Sequence, residues 1–117
     1  MEDKSPAYDR LKDWILQLPG VTEALHRLGG TEFRVNGVEF MHSHGPLWLD
    51  ILLSKEDQSS VLKAGQALRH RAGVHDQAGW VSLRIERSKD ITNAKKVVQL
   101  AYEYSKKNPK GDKLSEE

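Results

Sequence analysis

The sequence predicts an α+β domain: an antiparallel sheet of about five strands with N- and C-terminal helices packed on one face. Three observations carry this. Residues 31–36 and 79–85 alternate apolar and polar with the period of a half-buried strand. Asn36-Gly37 stands between two such runs, where a tight hairpin needs positive φ at both central residues. Apolar stripes of helical period open and close the chain, with one shorter helical segment between them.

The elements follow in order. Ser5-Pro6 is a helix start, Ser as N-cap and Pro at the first helical position. Leu11, Trp14, Ile15 and Leu18 then form one stripe, and Pro19-Gly20 ends it. Residues 21–28 fit either period, but eight residues between two turn signals favour a strand or extended loop. Gly29-Gly30 makes a turn into Thr31–Asn36, with Phe33 and Val35 inward. Val38–His42 follows the hairpin, a second tight turn falls at Gly45-Pro46, and the next strand buries Leu47, Leu49, Ile51 and Leu53. Ser54-Lys55-Glu56-Asp57 has the spacing of a capping box and opens a short helix that stops near Gly65. Residues 67–76 read as a short strand and loop. Gly79–Ile85 is a strand with Val81, Leu83 and Ile85 on one face. Ser88 or Asp90 caps the last helix, with Ile91, Ala94, Val98, Ala101 and Tyr102 inward. One domain is expected over residues 5–105, and a disordered polar tail over 106–117.

Composition narrows the function. Of 117 residues, 18 are Lys or Arg and 17 Asp or Glu, a balance that argues against a dedicated nucleic-acid binder. There is no cysteine, which removes disulfides and thiolate zinc sites. The polar, acidic start is not a signal peptide, and no apolar run reaches the ~20 residues of a membrane helix. The expectation is a cytoplasmic protein without a membrane partner.

Chemistry concentrates in His42-Ser43-His44, directly before the Gly45-Pro46 turn. Alternation puts His42 and His44 on one side of a strand, roughly 7 Å apart. If that alternation is unbroken, Val38 and Phe40 share their face. Two imidazoles supply two ligands of a zinc or other divalent transition-metal site, and a third would come from His75, His70, His26 or Asp50. They equally suit a small-ligand or acid–base role, or a structural one around the turn. Asp50, opposite in parity to Leu49 and Ile51, is either on a solvated face or a carboxylate orienting a histidine. Arg69-His70-Arg71 with Arg27 and Arg34 would be the basis of any phosphate or nucleic-acid contact. No cofactor motif is present.

The runs His26–Val35, Glu39–Gly45, Leu49-Asp50-Ile51, Gly79–Ile85 and Leu100–Glu103 together resemble the small bacterial and fungal family labelled "luciferase domain". Its pattern includes His-Arg-x-Gly-Gly-x-Glu-Phe, a His-x-His-Gly turn, Leu-Asp-Ile and Gly-Trp-Val-Ser. The likeness runs from about Leu18 to Tyr104. It places His26, His42, His44, Asp50 and Trp80 at motif positions, with His70 or His75 filling a looser one. The label does not imply light emission, since the chain is far too short for a flavin-dependent luciferase barrel. More distantly the layout is similar to MmcQ/YjbR-like proteins, a group with an antiparallel sheet and helices on one face that has been suggested to bind DNA. The reading that follows is a ligand-binding or accessory domain with a histidine-lined pocket. Its alternatives are a metal- or His-dependent enzyme using His42 and His44, and a nucleic-acid-binding module.

Overall fold

The computed structural model describes residues 6–25, 30–44, 48–69 and 79–107. The elements are α1 (Pro6–Leu16), β1 (Val21–Leu25), β2 (Thr31–Val35), β3 (Val38–His44), β4 (Trp48–Leu52), α2 (Lys55–Lys63), β5 (Leu68–Arg69), β6 (Trp80–Arg84) and α3 (Lys89–Lys107). The strands form one antiparallel sheet in the order β1-β2-β3-β4-β6-β5. It has six strands rather than about five. The additional strand, β5, is two residues long, too short to leave a period in the sequence.

The expected turn at Asn36-Gly37 and the cap of α2 are present, and the expected Gly45-Pro46 turn lies outside the described residues. Asn36 and Gly37 both have positive φ (54° and 85°), as the β2–β3 hairpin requires. Ser54 caps α2, its hydroxyl accepting from the Asp57 backbone N–H at 3.0 Å. On α1, Leu11 and Ile15 are buried with Ala7 and Tyr8, while Trp14 is half-buried under Lys95. On α3, Ala94, Val97, Val98, Ala101 and Tyr102 are buried. α1 and α3 pack on each other and on one sheet face, formed by Phe33, Val35, Met41, Leu49, Ile51, Val81 and Leu83. Tyr102 Oη donates to the Pro19 carbonyl at 2.6 Å and ties α3 to the end of the first helical segment. α3 continues to Lys107, into the stretch expected to be tail, and 108–117 lie outside the described residues.

Two backbone features set the opposite face. First, β3 carries a bulge. Phe33 faces Met41 but Arg34 faces Glu39, so Phe40 is an extra residue and both Phe40 and Met41 enter the core. This corrects the expectation that Val38 and Phe40 share the face of His42. The bulge changes parity, so Glu39, three residues from His42, stands on the same side of the sheet as the histidine. Without it, an odd separation would put the two on opposite faces.

Second, Gly79 lets β6 begin hard against the end of β4. A Cβ there would lie 2.0 Å from the Leu53 carbonyl oxygen, and its φ of +94° favours glycine. The Leu53 N–H donates to the Gly79 carbonyl at 3.0 Å, so the approach is part of the sheet. Gly79→Ala is expected to cost about 3 kcal/mol or more, through strain and backbone collision together. Urea unfolding reads this as a lowered midpoint with an unchanged slope. A shift below ~1 kcal/mol would mean that β6 starts differently.

Candidate functional site

A polar row crosses the sheet on the face opposite α1 and α3. Register aligns Glu32 on β2, His42 on β3, Asp50 on β4 and Ser82 on β6. Each is positioned by the alternation that buries its neighbours: Phe33, Met41, Ser43, Leu49, Ile51, Val81 and Leu83 occupy the intervening positions and point the other way.

His42 is the centre of the row. Its Nδ1 lies 2.7 Å from Glu39 Oε2, and its Nε2 lies 3.1 Å from Asp50 Oδ2. Asp50 is 5% exposed, and its other oxygen accepts from Ser82 Oγ at 2.8 Å. The Trp80 ring stands 5.3 Å from the imidazole, tilted by 49°. Gln58 on α2, itself buried, donates to the Trp80 carbonyl at 3.1 Å and fixes that strand position. Glu32 is buried and paired with Arg34, and Arg84 lies over the Trp48 ring at the far end of β4.

Two carboxylates, one on each ring nitrogen, call for a ring that donates at both. Burial by itself pushes the imidazole toward its neutral form. The hydrogen bonds that the ring donates to Asp50 and Glu39, with the charges behind them, overturn this and raise the His42 pKa to about 9. His42 is therefore an imidazolium at neutral pH, and the Trp80 ring gains a cation–π component from it.

This geometry bears on the chemistry open to the site. A metal ligand or general base needs a nitrogen lone pair, so either role would require His42 to give up a proton and one of its carboxylate partners. The two carboxylates lie at opposite ends of the ring, so Glu39, His42 and Asp50 do not converge on one ion. Among the described residues no group of three His, Asp or Glu side chains does so.

The sequence-nominated residues fare unequally. His42, Asp50 and Trp80 come together as a contact group. His44 is described through its backbone pairing with Trp48. His26, His70 and His75 lie outside the described residues, as do Arg27 and Arg71. Arg34 and Arg69 lie on β2 and β5, separated by three strands in the sheet order, so these two do not form a cluster. Glu39 and Ser82 were not nominated. Ser82 shares parity with Trp80, a signal that could have found it. Glu39 has the wrong parity for an unbroken strand and becomes visible only with the bulge.

Comparison with known proteins follows the same segment. A family model described as "Luciferase domain" matches residues 37–101, more than half of the chain. The match contains Glu39, His42, Asp50, Trp80 and Ser82 and begins after Glu32 and Arg34. No curated protein matches the chain, and no solved structure does. The more distant likeness to MmcQ/YjbR-like proteins rests on layout alone.

Proposed function

The chain belongs to the Luciferase domain family, and from the site carried by that segment we propose that it is a ligand-binding or accessory domain. Its binding face is the side of the sheet opposite α1 and α3, around His42, Asp50 and Trp80. The observation that supports this reading over a metal-dependent or His-based enzyme is the engagement of both His42 ring nitrogens by carboxylates. A ring so held orients and donates, and it enters a metal site only by giving up one carboxylate. The role of His44, and of His70 or His75, in this pocket is part of the proposal. No helix among the described residues is long and apolar enough to cross a membrane.

The experiment is a histidine and indole NMR survey at about pH 7.5. The expected result is a His42 ring protonated at both nitrogens, no saturable response to Zn²⁺, and small-molecule fragments whose binding shifts His42 and Trp80 together. Saturable one-to-one Zn²⁺ binding that turns His42 neutral would replace this reading with the metal-dependent one. A fragment collection that never perturbs this face would count against binding there.

A further inference from the structure

We propose that Glu39 is an internal stand-in for the ligand's own acid group: the site binds a small carboxylate, which takes Glu39's place at His42 Nδ1 while Asp50 stays fixed. The inference rests on the ligand-binding reading above and adds the chemical class of the ligand.

The two carboxylates that grip His42 differ in how they are held. Asp50 has a short side chain, 7% exposed, and is also bonded by Ser82 from the next strand. Glu39 is one methylene longer and 28% exposed, and it reaches the ring from the same strand. It does so only because the bulge at Phe40 turns it onto that face. The bulge admits both Phe40 and Met41 to the core and in the same step turns Glu39 to the other face. Its result is also a carboxylate delivered to an imidazole, and of the two carboxylates on that ring Glu39 is the more exposed.

Charge favours an anion in that place. Arg34 stands opposite Glu39 in register with its guanidinium on Glu32, so the Glu39 position borders the His42 imidazolium and an arginine already paired with a carboxylate. A carboxylate is the better match than a dianion. Asp50 and Glu32 are fixed nearby in the same polar row, and a second negative charge would be repelled by both. A small monoanion reproduces the charge-assisted hydrogen bond that Glu39 makes and adds no charge that Glu39 did not carry.

The test removes the stand-in and supplies the acid from solution. Sodium acetate is titrated into wild type, Glu39→Ala and Glu39→Gln at constant ionic strength with chloride as control, following the His42 ring and Trp80 indole signals. Glu39→Ala should bind acetate saturably, at least about tenfold more tightly than wild type, because no internal carboxylate competes. Glu39→Gln, which keeps the side-chain volume, should fall between them. Adding His42→Gln to Glu39→Ala should abolish the site, and adding Arg34→Gln should weaken it. Equal acetate binding by wild type and Glu39→Ala would overturn the proposal. So would inorganic phosphate binding Glu39→Ala more tightly than acetate does. If a fragment shifts His42 and Trp80 while the Glu39–His42 contact persists, this inference fails and the ligand-binding reading stands. If neither acetate nor any fragment perturbs the face, both fall.

Discussion

Asp50→Ala is expected to lower the unfolding free energy by about 4 kcal/mol at neutral pH, the scale on which breaking one side of a buried, hydrogen-bonded ion pair acts. Three losses combine. The imidazolium of His42, 12% exposed, loses its Nε2 partner in a place where water replaces it poorly. The Ser82 hydroxyl, buried at 1%, loses its acceptor. The volume of a carboxylate group is left between β3 and β6. Asp50→Asn separates charge from shape. It keeps the packing and can still accept from Ser82, but it no longer stabilises the cation, so His42's pKa should fall toward the ordinary imidazole range. Its expected cost is about 2 kcal/mol. The triple replacement His42→Leu, Asp50→Leu, Ser82→Ala should recover much of what Asp50→Ala loses, since apolar groups need no partners. Urea denaturation at one pH, with a double-mutant cycle between His42 and Asp50, measures this directly. An Asp50→Ala cost below ~1 kcal/mol would mean that the clamp contributes little to the fold.

The fold was legible in the sequence because its signals are local. Asn36-Gly37 announces a hairpin by a conformational need that few residue pairs meet, and Ser54 announces α2 through a bond only three residues long. Val81, Leu83 and Ile85 reveal their face by parity alone. What stayed hidden depends on partners distant in the chain or on broken parity. β5 exists because β6 offers it an edge, and its two residues have no pattern of their own. The bulge at Phe40 is decided by the core, which takes both Phe40 and Met41, and that cannot be read from a run of Val-Glu-Phe-Met-His. The candidate site shows the same division. His42, Asp50 and Trp80 announced themselves by residue type and by resemblance. The pairing that gives His42 its charge needed Glu39, whose parity was wrong until the bulge corrected it. Asp50 illustrates the remaining ambiguity. Parity placed it on the polar face, but whether that face is wet or covered depends on neighbours from β3 and β6, which bury it.

The clamp also predicts a stability profile with a definite sign. A histidine whose folded pKa lies above its unfolded value binds its proton more tightly when folded. Its contribution is complete below the unfolded pKa and is lost as pH rises through the folded one. For His42 the ordinary value is 6.5 and the folded value about 9, so the loss falls between those limits. The difference is worth on the order of 3 kcal/mol, since each pKa unit is about 1.4 kcal/mol of differential proton affinity. Wild type should therefore be about 3 kcal/mol less stable at pH 9.5 than at pH 6, and His42→Gln should lack that slope. Stopping near pH 9.5 keeps the buried Tyr8 out of the comparison, because burial raises its pKa above the ordinary 10.0 and its ionisation weighs on stability only above that. The measurement is urea unfolding at several pH values in both variants. Parallel profiles for wild type and His42→Gln would mean that the imidazole is not held as a cation. The case for a site that orients its ligand through a charged donor would go with it. A slope present in wild type and halved in Glu39→Ala would instead apportion the proton between the two carboxylates, with Asp50 the partner that keeps it.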